Sequence, residues 1–487
     1  MYKVLFVTSE CWPLVKTGGL ADVSSSLPLA LQAQGLDVVT LLPAYRGVKS
    51  GFKKLKKLGS INSDYCAETI ELFEGIVEIS GQKIWLVDAP SLYSREGGPY
   101  LDQTKKEWGD NSHRFALFCR VACEIAMGRA VSSWRPDVVH GNDWQTGLIP
   151  ALLSLETKPP ATLFTIHNIA YQGIYMRHTF DELRLPEAWW HYEALEFYGN
   201  FSFLKAAIVF ADYITTVSPS YAEEIKHSDK GCGLDGLLNH RAKALSGILN
   251  GVDDHCWNPK TDTCIAYPYD AQSLQNKRKN KQRLQRQLGL APNPSAPLIG
   301  IIGRFAYQKG IDLVIEQITR FKDSPCQWAI LGSGDLALEN DMRYLAEKYA
   351  GKVSVTIGYD ECLAHQIEAG ADLFLMPSRY EPCGLNQMYS LRYGTVPIVT
   401  RTGGLIDTVV DLNAQTLAAG TASGFWAQEA TADALTQALH RALDAYNNKP
   451  LWLKLRRNGM AHDFSWHRSA QAYVQLYKKA LAEHVSP

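Results

Sequence analysis

The chain has 487 residues, 46% hydrophobic and 20% charged, the mix of ordinary globular cores at a length suited to roughly two to three domains. Forty-nine Lys+Arg against fifty Asp+Glu give a net charge of -1, which excludes a global field drawing in nucleic acid or an anionic membrane and leaves anion binding to local sites. No apolar run approaches about 18 residues, no basic-then-apolar leader is seen, and the ten cysteines are scattered without a Cys-x-x-Cys pair, so a soluble cytoplasmic protein with reduced thiols and no zinc site is expected.

Val4-Leu5-Phe6-Val7 reads as a buried strand, followed by Lys16-Thr17-Gly18-Gly19-Leu20-Ala21-Asp22, a helix over 23–36 and a strand over 38–42: a βαβ unit. Residues 44–80 are less regular, and their lysine-rich run from Lys49 to Lys57 reads as a solvated face. A strand over 83–87, an amphipathic helix over 111–127 and the strand ending at His140 come next, then a short helix near 147–155 and a strand over 162–166. The aromatic stretch from Tyr171 to Phe203 fits a local core better than a sugar-stacking surface. After a strand over 213–217 and shorter elements, the proline-containing, polar residues 258–297 mark a boundary. A second strand–helix series opens at Leu298, with strands expected near 328–331, 353–357, 372–376 and 396–399. Near-continuous apolar strands alternating with helices imply parallel sheets covered on both faces, and hence two doubly wound α/β lobes.

In such sheets ligands bind beyond the carboxyl ends of the strands, so the residues that follow each strand carry the functional argument. The basic-Thr-Gly-Gly-Leu-x-Asp string of the first lobe returns as Arg401-Thr402-Gly403-Gly404-Leu405-Ile406-Asp407, again behind an apolar strand. One copy alone could equally be an ordinary strand-to-helix turn; two at equivalent junctions read as halves of an anion clamp, in which a cation and glycine-turned amides meet a helix start. Arg304 follows another strand, with Lys309 and Gly310 at the start of the next helix, a placement suited to a diphosphate. The Walker string and the dinucleotide fingerprint are both absent. Glu381 sits between Pro and Gly in Ser378-Arg379-Tyr380-Glu381-Pro382-Cys383-Gly384-Leu385 at a sheet edge, where it could meet sugar hydroxyls or cap the following helix. In the first lobe His140-Gly141-Asn142-Asp143-Trp144 and His167-Asn168 follow strands.

Together with Asn250-Gly251-Val252-Asp253, these strings in this order resemble the starch and bacterial glycogen synthases over essentially the whole chain. The resemblance implies the GT-B architecture, two Rossmann-like lobes facing a cleft, with residues 1–250 as the acceptor-side lobe, 251–460 as the nucleotide-sugar lobe and 461–487 as a helix crossing back to the first lobe. It implies transfer of glucose from ADP-glucose to the non-reducing 4-hydroxyl of an α-1,4-glucan with retention of configuration, without a metal or other cofactor. Arg304 and Lys309 would hold the diphosphate, joined by backbone around Gly18-Gly19 and Thr402-Gly403-Gly404, with Lys16 as the donor-site lysine. Tyr359 would lie on the adenine side. Asp22, Asp143, His167, Asn250 and Glu381 would surround the glucose, near the amides of Cys383-Gly384-Leu385. Two positions depart from the family pattern: Asn142 stands where His-Asp-Trp is commoner in relatives, and Tyr389 replaces the second of two glutamates eight apart. A transferase using UDP-glucose or another acceptor and an inactive glucan-binding protein are the competing readings; a glucan phosphorylase would need a pyridoxal-phosphate lysine and a longer chain.

Overall fold

The computed structural model describes residues 1–63 and 65–484. The chain divides into two compact units. One is residues 1–251 with the C-terminal residues from Trp466; the other runs Val252–Ser465.

The strands of the first unit are β1 (Lys3–Val7), β2 (Asp37–Pro43), β3 (Leu55–Ser63), β4 (Cys66–Ile76), β5 (Lys83–Asp88), β6 (Val138–Asn142), β7 (Ala161–Ile166), β8 (Ile174–Tyr175), β9 (Glu196–Phe197), β10 (Asn200–Ser202), β11 (Tyr213–Thr216) and β12 (Leu245–Gly247). Nine of them form one sheet in the order β12-β11-β7-β6-β1-β2-β5-β4-β3. Seven of these run parallel from β12 to β5, and apart from the half-buried edge strand β12 their apolar sequences are buried almost end to end because helices cover both faces.

The sheet is not wholly parallel. Residues 44–80, irregular by sequence, hold β3 and β4, an antiparallel hairpin that adds to β5. Its exposure alternates, as expected for a sheet edge with one face in water. The sequence signal was weak because Lys and Gly interrupt the apolar positions. The basic run is a charged face whose lysines pair within this unit: Lys53 with Glu78 at 2.7 Å, Lys57 with Glu71 at 2.6 Å, and Lys49 with Asp88. In the aromatic stretch Phe180, Trp189, Phe201 and Phe203 are buried, and Tyr171, Tyr192 and Tyr198 are exposed.

The last helix, Trp466–His484, belongs to this first core. Trp466, Tyr473 and Tyr477 pack with Val4, Phe6, Val23 and Leu27, and the Tyr477 hydroxyl lies 2.8 Å from His140 Nδ1.

The second unit carries β13 (Leu298–Ile302), β14 (Gln327–Gly332), β15 (Val353–Ile357), β16 (Leu373–Met376), β17 (Val396–Thr400) and β18 (Phe425–Ala427), all parallel, in the order β15-β14-β13-β16-β17-β18. Its core joins Ile299, Ile301, Trp328 and Leu373 to helix residues such as Leu435 and Leu439. One expectation is corrected here: Cys264 and Cys362 form a disulfide, their Cα atoms 5.1 Å apart. Their 98-residue separation hid the pair from any reading of local spacing.

Each sheet reverses its winding once, at β1/β6 in the first unit and at β13/β16 in the second. The loops that leave these adjacent strands diverge to opposite faces and open a crevice beyond the carboxyl ends. Lys16 and Asp143 follow the first pair; Arg304, Lys309 and Glu381 follow the second.

Candidate active site

In the first unit the stretch after β1 turns around Glu10. This buried carboxylate accepts hydrogen bonds from the backbone N–H groups of Thr17 and Gly18 and from the Tyr100 hydroxyl. Burial pushes the Glu10 carboxyl up from its ordinary value, against the pull of those donors. Two amides of this turn, those of Thr17 and Gly18, are thus bonded to an internal carboxyl group. Lys16, exposed, pairs with Asp22 at 2.8 Å across the first turn of the helix Gly19–Ala33. Glu10 went unnoticed in the sequence because its partner is main chain, which leaves no side-chain pattern.

Asp143 follows β6 with φ 58°, an unfavourable backbone for a residue with a side chain. Its carboxylate accepts from the His167 N–H at 2.8 Å and from the Asn168 N–H at 3.4 Å, tying the ends of β6 and β7 together. Burial raises the Asp143 pKa to about 7. The half-buried His167 is pushed down to about 3, again by burial, so its ring is neutral near pH 7.

Asn142, the departure from the family pattern, supplies what fixes that ring. Its side-chain amide donates to Val7 O at 3.1 Å and His140 O at 3.3 Å, which turns Oδ1 toward His167 Nε2 at 3.0 Å. The single proton of neutral His167 is therefore on Nε2, and Nδ1 keeps a lone pair. His140, by contrast, is fully buried between Tyr477 and Thr165 and is structural. Asn250, also buried, has a side-chain oxygen without a hydrogen-bond partner among the described residues.

In the second unit Lys309 Nζ lies 2.6 Å from Glu381 Oε2, to which the Ser378 hydroxyl also donates at 3.0 Å. Glu381 is buried and Lys309 half-buried. Gly310, at φ 67°, starts the helix Ile311–Arg320, and a Cβ there would meet Pro377 O at 2.1 Å, so only glycine lets the loops after β13 and β16 approach so closely. Arg379 locks the same pair of loops through Asp312, at 2.6 and 2.7 Å, and over the Tyr307 ring.

The second Thr-Gly-Gly copy is packed rather than open. The Gly404 N–H donates to Glu381 O at 3.1 Å, and Thr402 starts the short helix Gly403–Thr408. Cys383 is buried beside Gly404, Gly384 takes φ 71°, and Leu385 precedes the helix Asn386–Arg392. Arg304 is exposed at the end of β13. Tyr359 stands apart from this group: it follows β15 at the sheet's far edge, is 71% exposed, and its hydroxyl contacts Glu361. Tyr389, in place of the second glutamate, is stacked flat on Trp257 with centroids 3.8 Å apart.

The structure thus brings together Lys309, Glu381, Cys383 and Gly404 in one unit, and Asp143 with His167 in the other. Among the residues that sequence reasoning missed, Ser378 lay three residues before Glu381 in the same quoted motif, and that proximity was the available signal; the contact of Asn142 with His167 joins two separate motifs 25 residues apart.

Residues 282–459 match the family of group 1 glycosyl transferases. With two parallel-sheet units bearing these groups after their strands, the chain is a glycosyltransferase of the GT-B fold. Residues 3–240 match the starch synthase catalytic domain family. Glycogen synthase from Thioalkalivibrio sulfidiphilus is 51% identical over 482 residues, covering 99% of this chain and all of its own. That from Cellvibrio japonicus is 52% identical over 481 residues, covering 98% and 99%. Among solved structures, the catalytic domain of starch synthase IV from Arabidopsis thaliana, bound to ADP and acarbose, superposes with a TM-score of 0.90 at 33% identity and 99% coverage of both chains. The chain belongs to the starch and glycogen synthase family.

Proposed function

We propose that the protein transfers glucose from ADP-glucose to the non-reducing 4-hydroxyl of an α-1,4-glucan, with retention of configuration and without a metal, in the cytoplasm. The observation that carries this reading is the group at the second switch point, where Lys309 meets Glu381 and the Gly403-Gly404 turn is bonded to the same loop. The family membership and the ADP and acarbose bound by the Arabidopsis relative support the choice of substrates.

Scission of the C1–O bond sends its electron pair to the departing β-phosphate oxygen and leaves oxocarbenium character on the glucose. Fixed cations at that oxygen favour the transition state over the ground state. Arg304 and Lys309 take this role, with Lys16 and the turns at Gly18-Gly19 and Thr402-Gly403-Gly404 lining the donor. Glu381 faces the sugar with its buried carboxylate, and the amides around Cys383, Gly384 and Leu385 sit beside it. The acceptor O4 bonds to C1, and its proton passes to the departing phosphate.

The remaining roles follow the chemistry of each group. The Nδ1 lone pair of His167 accepts from a glucose hydroxyl, and the unpartnered oxygen of Asn250 does the same. Asp143 positions the His167 backbone, and Asp22 holds Lys16. Tyr359 offers an exposed ring to the adenine side.

Nucleoside diphosphate release with glycogen as acceptor tests the reading. Turnover is expected with ADP-glucose and far less with UDP-glucose, and Lys309→Ala or Arg304→Ala should lower kcat by on the order of 10²–10³. Turnover with UDP-glucose alone would replace the donor; variants within a few-fold of wild type would remove the diphosphate assignment.

A further inference from the structure

Outside the switch-point group, one cluster of side chains in the second unit has ligand character that the transfer reaction does not use. Glu361 and His365 lie one turn apart on the helix Glu361–Gly370, and Cys256 reaches the same place from a turn in which Asp253 accepts from the N–H groups of His255 and Cys256. One ligand atom from each of the three lies within 4.8 Å of the others. His365 Nε2 and Glu361 Oε1 are 3.7 Å apart. That is close to the roughly 3.4 Å edge of a tetrahedron built on metal bonds of about 2.0–2.1 Å.

The support around these groups is also that of a metal site. His365 Nδ1 meets the buried Asp262 carboxylate at 2.8 Å, which commits this nitrogen to the carboxylate and aims Nε2 at Glu361 and Cys256. A histidine that gives its far N–H to a carboxylate is the usual outer arrangement of a zinc ligand. Tyr393 donates to the same Asp262 oxygen at 2.6 Å. The imidazole lies flat on Trp257, with centroids 3.8 Å apart and planes 14° apart, and Trp257 is sandwiched from the other side by Tyr389. The Cys264–Cys362 disulfide ties the residue after Glu361 to the segment that holds Asp262. The three ligand side chains thus stand on supports that need little rearrangement.

We infer that Cys256, Glu361 and His365 bind one zinc-like divalent cation, with a water completing the coordination. A borderline-soft ion suits a thiolate, an imidazole and a carboxylate together, whereas magnesium or calcium would call for oxygen ligands alone. Capture of the ion displaces the proton on His365 Nε2 and the Cys256 thiol proton to solvent. No local motif announces the set, because Cys256 is far from the Glu-x-x-x-His pair in the chain.

Equilibrium dialysis of the chelator-treated full chain against Zn²⁺ alone, with Co²⁺ as a spectroscopic probe, tests the inference. One equivalent per chain is expected, with a thiolate-to-cobalt charge-transfer band in the near ultraviolet. Cys256→Ser should remove the band and Glu361→Gln should weaken Zn²⁺ binding, both at half-buried positions. Asp262→Asn should weaken it about 10–100-fold through the outer shell. Absence of a stoichiometric equivalent, or an equivalent retained with unchanged affinity and band in Cys256→Ser, would overturn the site.

Discussion

Asp143 combines a backbone at φ 58° and ψ 173° with a buried carboxyl that two main-chain amides hold. A conformation of this kind costs on the order of 1–3 kcal/mol and persists where surrounding bonds dictate it. Burial keeps the native group protonated up to about pH 7, whereas in the unfolded chain it ionises near its ordinary value of 3.8. Between those values the native state holds the extra proton, so this group makes stability fall as pH rises from about 4 to 7, with its full cost present above that window. Asparagine has nearly the same shape and still accepts from the His167 N–H, but it never ionises. Relative to wild type, Asp143→Asn should therefore gain stability progressively from pH 4 to pH 8, by up to about 3–4 kcal/mol, while turnover falls. Urea midpoints measured across that range decide it: an offset between the two proteins that does not change with pH would show that Asp143 is ionised throughout.

The two Thr-Gly-Gly turns, alike in sequence, are unlike as elements. A Cβ added at Gly18 would meet nothing within 4 Å, whereas one on Gly404 would meet Cys383 O at 2.4 Å and Cys383 Cα at 2.5 Å. Gly404→Ala should therefore push the loop after β17 off the loop after β16, losing the bond to Glu381 O. The expected cost is about 1–3 kcal/mol of stability and a fall in kcat of at least 10-fold, with Gly18→Ala the control that keeps its melting temperature. Calorimetry and diphosphate release on both variants check this, and equal behaviour of the two would contradict the packing difference. That contrast also marks what could be read beforehand. The order of strands and helices, and the residues that follow β1, β6, β7, β13, β16 and β17, were legible because fully buried parallel strands are written as apolar runs ended by Gly, Pro or polar residues. The β3–β4 hairpin was not, since one of its faces is solvated and its alternation is broken by Gly59 and Gly75. Nor were the roles of Glu10 and the Cys264–Cys362 pair, whose partners are main chain or distant in sequence. The Asn142 contact with His167 depends on strand register, which lies beyond motif reading.

At the scale of the molecule the chain enters the second unit at Val252 and leaves it at Ser465, which bridge to each other, while Gly251 and Trp466 pack together on the first unit's side. The first unit is therefore built from both ends of the chain, and the second from one continuous stretch. The C-terminal helix contributes Trp466, Ala470, Tyr473, Tyr477 and Ala480 to the first core, and Tyr477 partners the fully buried His140. Each large buried side chain is worth about 1.5–3 kcal/mol, so removing the helix, with His140 also left unpaired, takes away an amount comparable to the 5–15 kcal/mol that holds a typical domain folded. Nothing equivalent happens in the second unit, whose core of Ile299, Trp328, Leu373 and their neighbours lies wholly within 252–465. Ending the chain at Ser465 should consequently abolish the cooperative unfolding of the first unit and leave a single transition from the second. Supplying residues 466–487 as a separate peptide should restore part of the first, because the lost contacts need no covalent link. Hydrogen exchange read peptide by peptide separates the outcomes: protection lost from β1, β6 and β7 but retained in β13, β14 and β16 is the expected pattern, and uniform loss across both sheets would show that the two units fold as one.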